Sequence, residues 1–304
     1  MEIEIFDLEY IDPIPEAKLA LIKALQAGDV TLSFSSILAF SISPAMFIAY
    51  KLQETKTTPA MLLGNLVHCM VLEPDQLPVR YFMAPNVDAS TAAGKNAWGS
   101  LYMDFTGATL EKNKAGNYNI PTLGDIIAEV RDKCNVTIIP YGVWEQASFR
   151  ARKLVSNLAC RWVLNQITNT ERKVTFDFAG LNFRGVIDGF GPGIIADIKN
   201  VPDATLDKCT GAIWKRCLHW QAFGYDRALG GGNTCYILAV DGNGETSVHA
   251  FGANHLDSAQ RQLSRYCHYF KSCVTESLYN PGIWDMSQDF WLRSEMNVNG
   301  INFL

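Results

Sequence analysis

Apolar positions recur at two different spacings along this chain, and the change of spacing divides it. From Pro15 to Ala27 (PEAKLALIKALQA) Leu and Ile follow a helical period, and Gly28 is placed to cap the helix end. In LSFSSILAFSISPAMFIAYKLQ, Ser33 or Ser35 can cap one short helix and Ser43-Pro44 can open another. Met61 to Leu72 (MLLGNLVHCMVL) is apolar on nearly every face, which predicts a buried helix that Glu73-Pro74 ends. Pro85 to Pro121 is polar and rich in turn residues, predicting a loop-rich surface segment with one short helix. Thr122 to Leu164 returns to helical spacing, with a break near Ile138-Ile139-Pro140.

At Glu171 the period drops to two. Val174, Phe176 and Phe178 alternate, Ala179-Gly180 turns, Phe183, Gly185 and Ile187 alternate again, Gly189 to Gly193 turns, and Ile194 to Val201 forms a third strand. Gly211 to Leu229 predicts a helix closed by Gly230-Gly231-Gly232. Thr234 to Val240 predicts a strand, Ser247 to Gly252 its hairpin partner, and His255 to about Leu278 a polar helix. This order gives an α/β fold with helices packed on a mixed sheet. One domain over 1–304 is expected: a helical part to about 165, a sheet core over about 166–255, and a closing helix and tail.

The bulk properties narrow the classes. At 304 residues, 48% hydrophobic and 19% charged, the chain can bury a substantial core. No apolar run approaches the ~18 residues of a membrane span, and the acidic start (MEIEIFDLEYIDP) is unlike a secretory signal, so a cytosolic protein is the simplest expectation. The eight cysteines contain no CxxC pair, which argues against a zinc knuckle or a disulfide framework. Cys267 and Cys273 lack the close cluster that an iron-sulfur site needs. A net charge of -5 argues against a broad basic coat for nucleic acid, but not against a local basic groove beside a metal.

The chemistry concentrates in FRGVIDGFGPGIIADIKNV. Residues two apart on a strand share a face, so Asp197 and Lys199 point together, and the preceding turn can bring Asp188 beside them. Two hard carboxylates suit Mg²⁺ or Mn²⁺, and a lysine can orient a water or offset charge on a phosphoryl group. A lone Asp here would be read as a turn former or salt-bridge partner. Asp and Lys set together among Ile and Val carry a burial cost that functional sites accept. His68, taken alone, reads as a satisfied core histidine, and Glu171 as an exposed charge beside Arg172 and Lys173.

These residues resemble the Asp…(Asp/Glu)-x-Lys signature of the restriction-endonuclease-like, or PD-(D/E)xK, nucleases. Four flanking motifs are similar to those of RecE-type phage and prophage exonucleases: SFSSILAF followed by SPAMFIAY, Gly64-x-x-x-His68, Thr91 to Lys95 (TAAGK), and Gln221-x-x-x-Tyr225. They run from about residue 30 to 240. Asp197 departs from the Glu that many relatives carry there, which shortens its reach by one methylene.

The resemblance implies a restriction-endonuclease-like core with helical N-terminal additions. It implies Asp188, Asp197, Lys199 and Glu171 as catalytic residues, with His68, Asp188, Asp197 and the backbone carbonyl of Ile198 around the metal, and Gly64 allowing close packing. Gln221 and Tyr225, on one helix face, would meet the substrate strand or position Lys199. Ser35 and Lys95 are further substrate candidates, although capping explains Ser33, Ser35 and Ser43 adequately and solvation explains Lys95, Arg150 and Arg152. The implied activity is Mg²⁺-dependent resection of linear duplex DNA, 5′ to 3′, leaving a 3′ single strand. The implied partners are duplex DNA ends, other copies in a ring of three or four, and an annealing protein, in a bacterial cytoplasm. An endonuclease, a single-strand nuclease or a silent DNA-binding module are the alternatives. The tail from Asp285 to Leu304 matches no motif, and packing on its own core is expected of it.

Overall fold

The computed structural model describes residues 15–53 and 57–286. Helices α1 (Glu16–Ala27), α2 (Phe34–Ile42) and α3 (Pro44–Leu52) open the chain. Gly28 ends α1 at φ 76° and returns its N–H to Ala24 and Leu25, as a left-handed C-cap should. Ser33 and Ser43 cap α2 and α3 through their side chains. Helix α4 (Pro59–Leu72) starts earlier than its apolar run, because Thr58 caps it and Pro59 fills the first turn. It buries only one stripe, with Leu66, Val67 and Cys69 inside and Met61 47% exposed, so the expectation of burial on nearly every face is corrected.

A single-turn α5 (Leu77–Arg80) leads into β1 (Tyr81–Met83). The polar segment then holds a fifteen-residue helix, α6 (Ala92–Thr106), longer than its composition predicts. Thr91 caps it, and Gly94 lies so close to the Asp88 carbonyl that a Cβ would meet that oxygen at 1.8 Å. Trp98, Leu101 and Tyr102 of α6 join Ile126 and Val130 of α7 (Leu123–Cys134) and Ile138 in a small separate cluster. The break near Ile138 proves to be a strand, β2 (Thr137–Ile139), paired in parallel with β1. Helices α8 (Tyr141–Ser156) and α9 (Leu158–Leu164) follow.

The central sheet is built from β3 (Asn169–Phe178), β4 (Leu181–Gly191), β5 (Ile194–Asn200), β6 (Thr234–Val240) and β7 (Thr246–Phe251), in that order. All neighbours are antiparallel except β5 and β6. The predicted helix over 211–229 is two, α10 (Leu206–Lys215) and α11 (Leu218–Ala228), because Cys217 between them sits at φ 50° and turns the chain. The long amphipathic α12 (Ala253–Glu276) closes the fold.

Alternation along β5 assigns its two faces. Ile195, with Ile237 and Ala239 of β6, packs under the helices α2, α3, α11 and α12. Ile194, Ala196 and Ile198 pack against α4, α8 and α9. A mixed sheet between two helical layers is thus the architecture, as expected. Trp284, fully buried beyond α12, packs against Phe47 and Phe270. That part of the tail does cover its own core, and 287–304 lie outside the described residues.

Candidate nuclease site

The site lies where the sheet splits. Strands β4 and β5 pair only at Gly189–Ala196, Phe190–Ile195 and Gly191–Ile194, while β5 stays bonded to β6 along its whole length. One step past that short ladder the opposed residues are Asp188 and Asp197. The N–H of Ile198, freed by the fork, donates to Asp188 Oδ2 at 2.8 Å. A carboxylate therefore takes the place of the backbone acceptor that a continued ladder would have supplied.

His68 approaches from α4. Its Nε2 donates to the Ile198 carbonyl at 2.8 Å, which leaves Nδ1 facing Asp188 Oδ2 at 3.4 Å. Nδ1 and Oδ2 thus turn toward one point, where a cation can be shared between them. Glu171 stands opposite Asp188 on β3, where the ladder passes from Thr170–Gly189 to Arg172–Ile187. Its φ of 50° is costly for a residue with a side chain, and such strain concentrates at working sites. Ligand atoms of His68, Glu171 and Asp188 all lie within 4.8 Å of one another, a spacing and donor set that fit a divalent cation.

Asp197 and Lys199 share the opposite face of β5 from Ile198. Lys199 Nζ donates to Asp197 Oδ1 at 2.8 Å and lies 2.7 Å from the buried Oδ2, so the ammonium offsets the charge on both oxygens. A carboxylate held in this way can still offer Oδ2 to a cation alongside. Burial pushes the Asp197 carboxyl up to about 6, against the pull of Lys199 and with the push of Asp188. Burial works against the Lys199 ammonium, but the carboxylates of Asp197 and Asp188 outweigh it and raise its pKa. Burial and then the charge of Asp188 raise Glu171.

Gln221 and Tyr225 meet on α11, with Gln221 Nε2 donating to the tyrosine hydroxyl at 2.7 Å. Tyr225 is only 3% exposed. It lies against Gly185, where a Cβ would come within 2.6 Å of its ring, and Phe34 of α2 meets it edge-on at 5.7 Å. The pair is thus a buttress in which Gln221 is the more open member, and Phe34 connects the N-terminal serine-rich motif to it. Burial, followed by the charges of Asp197 and Asp188, raises the tyrosine far above its usual range.

The remaining residues separate. Ser35 is exposed on α2, while Ser33 and Ser43 are helix caps. Lys95 lies in the first turn of α6, whose core is the separate small cluster. Gly64 leaves ordinary room: a Cβ there would sit 3.8 Å from Asn200 Nδ2, so the expected close approach does not require glycine. Arg150 reaches the end of β5, donating to Asn200 Oδ1 at 3.1 Å, whereas Arg152 is exposed. Asn200, beside Lys199 and holding Arg150, carried no sequence signal beyond its place after Asp-x-Lys. The eight cysteines are free thiols, and Cys267 and Cys273 are buried in α12.

A mixed sheet forked around Asp188 and Asp197, with Lys199 two residues on, defines a nuclease domain of the PD-(D/E)xK class. Within that class the chain belongs to the family described as a PDDEXK-like domain of unknown function (DUF3799), whose model matches residues 33–230. Among solved structures, a protein from Eubacterium rectale, provisionally assigned as an exonuclease, is similar at 12% identity and a TM-score of 0.48 over 86% of each chain. No curated protein matches the sequence. Among the described residues no helix is long and apolar enough to cross a membrane.

Proposed function

We propose that this protein is a divalent-metal exodeoxyribonuclease that resects linear double-stranded DNA from its ends, 5′ to 3′, leaving a 3′ single strand for annealing. The observation that carries the reading is the fork. With the Ile198 carbonyl accepting from the far nitrogen of His68, it gathers His68, Asp188 and Glu171 around one point beside the buried Asp197–Lys199 pair. Those groups would hold Mg²⁺ or Mn²⁺. Such an ion supplies Lewis-acid polarisation of the phosphodiester when bound.

The residues do the rest. Asp188 fixes the backbone of Ile198 and would offer the same carboxylate to the ion. Glu171, raised by burial, would be the group that accepts a proton from the attacking water. Lys199 keeps its proton and places a positive charge where negative charge develops on the phosphoryl oxygens. Gln221, backed by Tyr225, lies on the Lys199 side of the strand and positions that ammonium or the substrate strand.

The polarity, the ring of three or four copies around DNA, the annealing partner and a cytoplasmic setting in a phage- or prophage-bearing bacterium rest on the RecE-type motifs in the sequence. A ring would reconcile a net charge of -5 with DNA binding by turning basic residues inward. The test is digestion of end-labelled linear duplex with Mg²⁺ by the wild type, Asp197→Ala and Lys199→Ala. Release of 5′ nucleotides by the wild type alone is expected. Equal activity in all three removes the site, release from 3′ ends removes the polarity, and cutting of closed circles removes the exonuclease assignment.

A further inference from the structure

The sheet face that carries Glu171 and Asp188 continues past them. Residues opposed across an antiparallel pair share a face, and so do residues two apart. The register therefore sets Lys173 and Thr175 of β3 beside Val186 and Arg184 of β4 on one side, directly after the step where Glu171 and Asp188 interrupt the ladder. The other side of this hairpin is core, with Val174, Phe183 and Ile187 buried. The first side is open beyond the carboxylates: Lys173, Thr175 and Arg184 are exposed, and Val186 is 39% exposed.

The charge on this open face changes sign along the hairpin. The carboxylates gather at one end, Lys173 and Arg184 follow, and an acid returns only at Asp177, next to the turn. Lys51, at the end of α3, joins Arg184. It is half-buried and its ammonium reaches the Thr31 carbonyl at 3.4 Å. Burial and then the nearby Arg184 charge both work against its proton. Among the described residues none of these three cations is ion-paired. Like charges held together without a carboxylate fit an anion that comes from outside.

We infer that the outer face of the β3–β4 hairpin, carrying Lys173 and Arg184 and flanked by Lys51, is the track for phosphates of the DNA strand that enters the metal site. Asp188 lies four steps along β4 from Arg184, a reach of about 13 Å at strand rise. That length matches about four nucleotides of one duplex strand. Val186, between the cations and the metal ligands, offers an apolar surface for a sugar or base rather than a further charge.

This track rests on the nuclease reading, and one set of measurements separates the two. Binding of a labelled duplex is followed over a salt series with Ca²⁺ in place of Mg²⁺, alongside Mg²⁺-dependent cleavage by the same preparations. Lys173→Ala, Arg184→Ala and Lys51→Gln each free one DNA phosphate from its cation, and each should lower the slope of log affinity against log salt by about 1. The triple variant loses the sum, Arg184→Lys keeps the slope, and Lys23→Ala on exposed α1 matches the wild type. A wild type that binds and cleaves while the triple variant keeps the full slope overturns the track alone. A wild type that neither binds nor cleaves overturns the nuclease reading and the track with it.

Discussion

Asp188 holds Ile198: its Oδ2 accepts the Ile198 backbone N–H at 2.8 Å at the step where β4 and β5 cease to pair. The same oxygen faces His68 Nδ1 at 3.4 Å, so one atom serves the fold and the metal site together. The two roles can be separated by substitution. Asp188→Asn retains an acceptor for the N–H and should fold within about 1 kcal/mol of wild type, whereas Asp188→Ala strands a buried donor and should cost about 1–3 kcal/mol. Both should lose metal affinity, and with it at least ~100-fold in cleavage. Denaturant unfolding and a metal titration read the two effects separately.

Metal should stabilise the wild type. An ion that binds the folded chain alone adds RT ln(1 + [L]/Kd), about 2.7 kcal/mol at a hundredfold excess over Kd. Mg²⁺ or Mn²⁺ should therefore raise the unfolding temperature of the wild type, and chelation should reverse the rise. The shift should vanish in Asp188→Asn. A shift that persists there would place the ion elsewhere.

Asp197 gives a pH dependence whose sign is fixed. Its carboxyl stands at about 6 in the folded chain against 3.8 unfolded. The unfolded chain therefore ionises first at this residue as pH rises, so the contribution of Asp197 to metal-free stability falls between those two values and stays lower above them. Lys199, raised above its usual value, remains charged throughout that window. Asp197→Asn should remove the fall and be more stable than wild type at pH 7 without metal, with no cleavage. Thermal unfolding at a series of pH values, with chelator present, measures this.

Glu171 pays for its position in backbone strain. A glycine within a strand ordinarily costs about 0.5–1 kcal/mol, but at φ 50° it relieves strain of about 1–3 kcal/mol. Glu171→Gly should therefore be at least as stable as wild type while losing activity and metal affinity. Glu171→Gln, which keeps the strain, should lose activity without the gain in stability. Denaturant unfolding beside a cleavage assay distinguishes the two variants.

Two glycines should respond oppositely to one methyl group. Gly185→Ala drives a Cβ to 2.6 Å from the Tyr225 ring. It should cost about 1–3 kcal/mol and lower the cleavage rate while metal affinity is unchanged. Gly64→Ala meets only Asn200 Nδ2, at 3.8 Å. It should be neutral or stabilise helix α4 by up to about 1 kcal/mol. Unfolding midpoints of the two variants check the contrast.

The legible parts of this protein are those written in local periodicity and caps. Gly28, Ser33, Ser43, the β3–β4–β5 meander and the fork residues all follow from spacing and turn chemistry. Burial is harder to read, because it is set by what comes to cover a face. Helix α4 is apolar nearly all round yet keeps Met61 outside, and the polar composition of 85–121 hides α6, whose core is made by Trp98, Leu101 and Tyr102 against α7. Cys217 breaks an expected helix in two through a left-handed conformation that no glycine announces. At the site, Asp188, Asp197 and Lys199 are readable from one short stretch. The strain at Glu171 and the bond from Ile198 to Asp188 arise only once β3, β4 and β5 lie side by side.

The paired strands β1 and β2 give the segment from 84 to 136 an unusual freedom. Both run the same way and sit side by side at about 4.8 Å. Because the pair is parallel, the chain departs past Met83 at one end of the ladder and returns before Thr137 at the other, while α6 and α7 share an apolar cluster of their own between the two. Changes of surface or length within this segment fall between two anchors that stay in register, away from the fork.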